Sequence, residues 1–263
     1  MLRIEDLRFS YKDKPVLDGV DLEIRPGEVI GIIGPNGCGK TTLLKHLNRN
    51  LHPAVGRVLL DDKDIEKMTK ADIARYVAVV PQSNEINFSF TVRDIVTMGR
   101  MPFLEKFGGE SSEDLRKIDE AMEKTNIMEF ADRFINTMSG GERQRVIIAR
   151  ALAQTPEIIL LDEPTLHLDI SNQFDVLDLV KKLSDADGLT VVIVSHDLPM
   201  VVRYCDRIVM LKDHKIFAAG APEEVLTPEI MKEIFNIDAV FEKDPVSKQN
   251  TVRIYGSCTK RPK

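Results

Sequence analysis

Residues Gly34 to Thr42 read Gly-Pro-Asn-Gly-Cys-Gly-Lys-Thr-Thr and follow the apolar run Val29-Ile30-Gly31-Ile32-Ile33. A buried strand, a glycine-rich turn and a helix opening near Thr41 fit the pattern G-x-x-x-x-G-K-[ST], with Gly34, Gly39, Lys40 and Thr41 in the fixed places. Glycines let such a loop turn its backbone N–H groups inward, and the following helix adds the positive end of its dipole at the same spot. A loop of this kind holds phosphate, which makes Gly34, Pro35, Asn36, Gly37, Cys38, Gly39, Lys40, Thr41 and Thr42 candidate nucleotide-binding residues. Lys40 would reach the β- and γ-phosphates as a point charge, and the Thr41 hydroxyl would be one ligand of Mg²⁺. An ordinary glycine-rich loop is the competing reading, against which the full strand-loop-helix match weighs.

The rest of the composition narrows the class. A length of 263 residues suits one large domain, or a domain with a subdomain. With 36 basic and 42 acidic residues the formal charge is −6, which gives no general affinity for nucleic acid. Cys38, Cys205 and Cys258 are too few and too scattered for a disulfide framework or a zinc site, as expected in a reducing cytoplasm. No apolar run approaches the roughly 18 residues of a membrane span, and Arg3, Glu5 and Asp6 interrupt any signal-peptide core. A soluble chain is expected, serving a membrane only through a partner.

Apolar periodicity predicts an antiparallel pair over 2–9 and 16–24, with a turn near Asp13 to Pro15, and a further pair around Arg57 to Leu60 and Asp64-Ile65. Ile73 to Val80 reads as an apolar strand closed by Pro81-Gln82. From Thr91 to Ala153 the spacing turns helical, with a charged loop over Phe107 to Ser112 and a long helix opened by Ser139-Gly140-Gly141-Glu142 and ended by Pro156. Two fully apolar strands, Ile158 to Leu161 and Leu189 to Val194, flank a helix from Ser171 to Leu183, as in a parallel sheet buried on both faces. A hairpin after Asp206, a helical segment near Pro228 to Phe235 and short strands over 239–256 follow. The fold class is α/β: a P-loop nucleotide-binding core with a mostly parallel sheet, an antiparallel β subdomain and a helical subdomain.

Ile158 to Pro164 carries the second set of candidates. Asp162, at the end of a buried strand, can hold Mg²⁺, usually through water. Glu163 would point the other way along the pleat and take the proton of an attacking water. In Met138-Ser139-Gly140-Gly141-Glu142-Arg143-Gln144-Arg145, Ser and two Gly at a helix start form a second anion site, although Ser139 and Glu142 also read as a plain capping box.

With these motifs the chain resembles the nucleotide-binding subunits of ATP-binding-cassette (ABC) proteins, whose signature is Leu-Ser-Gly-Gly-Gln; here Met replaces Leu and Glu142 replaces Gln. The resemblance covers nearly the whole chain as a single ABC ATPase domain over 1–263, with a helical subdomain at about 84–155 and a C-terminal extension at about 221–263. It implies ATP and Mg²⁺ as cofactors. Tyr11 matches the aromatic that stacks on adenine, though it also reads as a surface turn residue. Gln82 matches the glutamine that touches Mg²⁺ or the attacking water, Asp169 the loop across a dimer interface, and His196 the histidine at the γ-phosphate. The resemblance further implies a head-to-tail homodimer in which each phosphate loop faces the partner's Ser139-Gly140-Gly141 turn. Lys40, Mg²⁺, His196 and the second copy's Ser139 and Gly141 then surround the γ-phosphoryl group while Glu163 orients and deprotonates water.

The short interval between Gln82 and Ser139 excludes the long coiled-coil insertions of DNA-acting members, and a single cassette differs from the paired cassettes of translation factors. Thr91 to Pro102, with Met98-Gly99-Arg100, and Glu163 to Ile170 are similar to importers of ferric siderophores, haem and cobalamin, although Thr91 to Arg100 also reads as a simple capped helix. The expected function is the ATP-hydrolysing subunit of such an importer, at the cytoplasmic face of the membrane. Its partners would be an integral permease, docked beside Gln82 and the 91–110 segment, and indirectly a substrate-binding protein, with no nucleic acid. Import of zinc, manganese or molybdate, or a soluble cassette ATPase acting in assembly, are the alternatives; a small-molecule kinase leaves the signature turn without a purpose. Cys38 stands where the family more often has Ser, Ala or Gly, so alkylating it is expected to block nucleotide binding, and ATP to protect it.

Overall fold

The computed structural model describes residues 1–82, 89–104 and 109–258 and divides into two compact units, residues 1–64 with 192–263 and residues 65–191. The first unit opens with β1 (Leu2–Tyr11) and β2 (Lys14–Ile24), paired antiparallel with Leu2 opposite Ile24 and Ile4 opposite Leu22. Their inward residues Leu2, Ile4, Leu7, Leu17, Val20 and Ile24 are at most 1% exposed, so alternation alone places this sheet's core face. The register shifts between Ile4 and Leu7, where Asp6 takes a left-handed φ of 44°. The chain runs on through β3 (Val29–Ile33), α1 (Lys40–Leu47), β4 (Val55–Leu60) and β5 (Lys63–Asp64). Asp61 and Asp62, both at positive φ, make the two-residue turn joining β4 to β5. The strand order is β2-β1-β4-β5.

The second unit contains α2 (Lys70–Tyr76), β6 (Val77–Val80), α3 (Val92–Thr97), α4 (Ser112–Lys124), α5 (Gly140–Leu152), β7 (Ile158–Asp162) and α6 (Ile170–Asp187), and ends at the first residues of β8 (Thr190–Val194). The strand expected over Ile73 to Val80 is half helix. Thr69 and Asp72 form a capping box that starts α2 and buries Ile73, and β6 begins only at Val77. β6 lies parallel to β7, with Val77 opposite Ile158, in the order β8-β7-β6. The expected charged loop lies partly outside the described residues, at Phe107 and Gly108, and Ser112 already begins α4, capped by Ser111. The expected start of the helical subdomain near 84 is also outside them.

A buried polar clamp ties this unit together. Arg100 is 5% exposed; its Nε donates to Asp114 at 2.8 Å, its Nη1 donates to the Ala153 carbonyl at 2.7 Å, and its guanidinium stacks 3.9 Å from the centre of the Phe103 ring. Gly99 makes the approach possible, because a Cβ there would lie 2.2 Å from the Arg150 carbonyl oxygen.

Back in the first unit, α7 (Leu198–Tyr204), β9 (Arg207–Lys212), β10 (Lys215–Gly220), α8 (Pro222–Val225), α9 (Pro228–Phe235), β11 (Ile237–Lys243) and β12 (Asn250–Ser257) complete the chain. The strand order is β10-β9-β3-β8, with β9 parallel to β3 and β10 an antiparallel edge. The sheet is thus mixed and mostly parallel, and every residue of β3, β7 and β8 is buried. Helices α7 and α8 carry no periodicity long enough to announce themselves in the sequence. The short strands expected over 239–256 are one antiparallel hairpin, β11 with β12. Among the described residues no helix is long and apolar enough to cross a membrane.

Candidate functional site

In the first unit the phosphate loop leaves the buried end of β3 and enters α1. Gly34, Gly37 and Gly39 have φ of 150°, 80° and 108°, values that L side chains rarely adopt. Two of them also lack room for a side chain: a Cβ on Gly34 would lie 2.2 Å from the Leu211 carbonyl oxygen, and one on Gly39 2.8 Å from that of Val16. At Gly37 nothing lies within 4 Å, so this glycine serves backbone shape and leaves open space at the crown, where Asn36 is exposed and Pro35 half-buried. The Lys40 ammonium, on a residue 8% exposed, donates to the carbonyls of Gly34 at 2.8 Å and Pro35 at 3.2 Å, which holds the charge over the loop. Thr41 is half-buried and Thr42 buried.

Cys38 is 7% exposed, and burial pushes its thiol up from the ordinary value. The expected alkylation test changes accordingly. A small maleimide at neutral pH should label Cys38 slowly even without ATP, far more slowly than the half-buried Cys258, as peptide mapping of the labelled chain would check. Equal labelling of the two would contradict this geometry.

Tyr11, at the end of β1, is 47% exposed and meets Phe9 edge-on with centroids 4.9 Å apart. Phe9 in turn meets His46, fully buried on α1, at 4.8 Å, so the outermost aromatic is packed back onto the helix of the phosphate loop. Neither Phe9 nor His46 belongs to a motif; strand alternation puts Phe9 on the face of Tyr11, and only the fold brings His46 to them. His196 is exposed in the turn between β8 and α7. The Ser195 amide donates to the Ile32 carbonyl at 3.3 Å, which brings His196 beside the strand that feeds the loop.

The second unit holds the remaining candidates. Asp162 is 7% exposed at the end of β7. Glu163 stands past the strand, with a left-handed φ of 50°, so its direction is set by a turn rather than by the pleat. Such a backbone is costly for a non-glycine residue and collects at sites where direction matters. The Glu163 carbonyl accepts from the Leu166 amide at 3.1 Å, His167 is again left-handed at 65°, and Asp169 then caps α6. Gln82 is exposed just after β6.

Ser139 caps α5 in a full capping box: its hydroxyl accepts from the Glu142 amide at 3.3 Å, and Glu142 Oε2 accepts from the Ser139 amide at 2.7 Å. That amide and hydroxyl hold the Glu142 carboxyl below its usual range. The two glycines have their own packing reason. A Cβ on Gly141 would lie 2.0 Å from Asn172 Oδ1, and one on Gly140 would lie 3.3 Å from Leu168 Cδ2. Asn172 also donates to both carboxylate oxygens of Asp169, at 2.9 Å from its amide and 2.8 Å from its side chain. The turn of Ser139 and the loop of Asp169 are therefore joined through a residue that no motif singles out.

The phosphate loop, Tyr11 and His196 thus share the first unit, while Gln82, Asp162, Glu163, Ser139 to Glu142 and Asp169 share the second. Residues 17–166 match the family model described as ABC transporter. The chain is 42% identical over 237 residues to the cobalamin import ATP-binding protein BtuD of Halobacterium salinarum, covering 90% of this chain and 59% of that longer protein. It is 41% identical over 244 residues to the iron(3+)-hydroxamate import ATP-binding protein FhuC of Bacillus subtilis, covering 93% of this chain and 91% of that one. Among solved structures, an inward-facing ABC transporter described as of metal-chelate type superposes with a TM-score of 0.84 at 29% identity, over 97% of this chain and 96% of that one. The dimeric cassette MJ0796 bound to ADP and Pi superposes with a TM-score of 0.71 at 32% identity, over 84% of this chain and 99% of that one. With the family model matching more than half of its length and relatives above 40% identity along most of it, this chain belongs to the ABC transporter family.

Proposed function

We propose that this chain is the ATP-hydrolysing subunit of an importer for an iron complex or cobalamin, working as a homodimer at the cytoplasmic face of a membrane beneath a separate permease. The observation that carries the reading is the pairing, on one chain, of one phosphate loop with one exposed Ser139-Gly140 turn. A single copy then supplies two half-sites, and two copies make two whole ones. The likeness to siderophore and cobalamin import subunits, and to a cassette dimer holding ADP and Pi, supports the cargo class and the dimer.

In this mechanism Tyr11 stacks on the adenine and the loop from Gly34 to Thr42 wraps the phosphates. The Lys40 ammonium exchanges its carbonyl partners for the β- and γ-phosphate oxygens. The Thr41 hydroxyl and the Asp162 carboxylate, with Gln82, are hard oxygen donors of the kind Mg²⁺ accepts alongside phosphates and water, and the ion when bound would neutralise charge on those phosphates. Glu163 accepts the proton as water attacks the γ-phosphorus, the bond to the bridging oxygen breaks, and ADP and phosphate result. His196, with Ser139 and Gly141 of the second copy, donates to the γ-phosphoryl oxygens, and Asp169 keeps the adjoining loop in place across the dimer. Closing the dimer moves the permease; hydrolysis reopens it.

The test is reconstitution with a permease of the siderophore and cobalamin class in vesicles. ATP-driven uptake of ferric hydroxamate or cobalamin is the expected result. ATP hydrolysis with uptake of neither, across that class of permeases, would turn the reading toward the other metals, molybdate, or an assembly ATPase.

A further inference from the structure

A cavity of about 420 Å³ lies beside His196 in the first unit, walled by Ile33, Leu198, Phe235, Ile237 and Ile254 together with His196 itself. The backbone around His196 is tied on both sides. The Ser195 amide donates to the Ile32 carbonyl at 3.3 Å, and the Asp197 amide donates to Ser195 Oγ at 3.0 Å. The Asp197 carboxylate then caps α7, accepting from the Met200 amide at 3.2 Å. The backbone of the His196 turn is thus joined both to β3 and to the start of α7.

Helix α7 is itself gripped from two directions. On the sheet side Gly31 admits it closely, since a Cβ there would lie 2.5 Å from Val201 Cγ1 and 2.9 Å from Cys205 Sγ. On the other side β12 packs against α7, with Val252 at 7% exposure and Leu198 at 7%. Ile254, one turn of the pleat further on, is 47% exposed and forms a wall of the cavity facing the His196 turn. The hairpin is therefore a wall of the helix's seat that is not part of the buried sheet, and the cavity lies between it and the His196 turn.

We infer that the C-terminal hairpin, β11 with β12, is a positioning element for His196: by seating α7 it sets where the imidazole stands, and so it governs the rate of hydrolysis rather than the grip on ATP. The inference rests on the reading of His196 as a γ-phosphate contact. Because β2, β3 and α1 build the phosphate grip, loosening the hairpin should leave nucleotide affinity in place.

In the full-length chain, Ile254→Ala should lower kcat for ATP hydrolysis about 5-fold with KM for ATP changed less than about 2-fold, and Ile254→Val should restore most of the rate. The carbon-13 resonances of the His196 ring should shift in the Ala variant while those of His52 and His167 stay put. An unchanged kcat, a KM that rises in step with the loss of rate, or an unmoved His196 resonance would each overturn the inference. His196→Ala with full kcat would instead remove the role of His196, whatever the Ile254 variants do, so the two failures are distinguishable.

Discussion

Glu163→Gln should lower steady-state ATP hydrolysis by about 10² to 10⁴-fold while ATP binding survives. The amide keeps the size of the carboxylate and can still accept a hydrogen bond from water, but it cannot take the proton. The backbone favours a directed role, because a left-handed φ of 50° immediately after a fully buried strand aims this side chain by a turn that the chain is strained to maintain. The variant should also trap the dimer, since the step that reopens it is lost. Size-exclusion chromatography in MgATP should then show a stable dimer where the unaltered chain turns over and falls apart. A loss of less than about tenfold would remove Glu163 as the base. A variant that stays monomeric in MgATP would remove the closed dimer as the working state.

Arg100→Ala should be among the most destabilising single changes in the second unit, costing about 3–5 kcal/mol, because it leaves the buried Asp114 carboxylate without its cation. It also removes the donor to the Ala153 carbonyl and the stacking on Phe103, so the end of α5 loses its tie to α4. Thermal unfolding would read this as a drop of roughly 10 °C. Arg116→Ala, which breaks only exposed pairs with Glu113 and Glu120, should leave the transition nearly where it was. Comparable losses in both variants would show that burial of the Arg100 pair contributes nothing.

Asp114 adds a pH signature to the same cluster. Bonds from the Ser111 hydroxyl and amide, then from Arg100, hold its carboxyl down from 3.8 to about 2. A folded value below the unfolded one means that the group's contribution is fully present above about pH 4. It is lost as pH falls toward 2. The stability difference between the unaltered chain and Asp114→Asn should therefore shrink across that window in urea titrations. A difference that stays constant down to pH 2 would mean that Asp114 is not held in its ionised form by the fold.

Sequence alone was sufficient for the phosphate loop, the buried strands β3, β7 and β8 and the order of the family motifs, because these depend on local chemistry. Glycines at fixed offsets fix a loop's shape, and four apolar residues before an acid fix a strand's burial. It also made Ser139 and Glu142 legible as a capping box, a relation confined to four consecutive residues. It failed where an apolar pattern fits two structures, where a backbone angle decides, and where neighbours distant in the chain decide. Ile73 to Tyr76 read as strand because apolar residues alone do not separate a short buried strand from a helical turn, and the Thr69 cap settled the matter for the helix. The direction of Glu163 needed the backbone angle, the reason for Gly141 needed Asn172, and the burial of Cys38 needed the close approach of the loop's own backbone. The turn of His196, which leads into a helix backed by the last strand of the chain, is the clearest case, since no spacing in one dimension encodes which surface a terminal hairpin will cover. The shape of the glycine-rich loop and the burial of the core strands were written in local patterns; how the side chains are aimed arose only when packing brought separate stretches within contact distance.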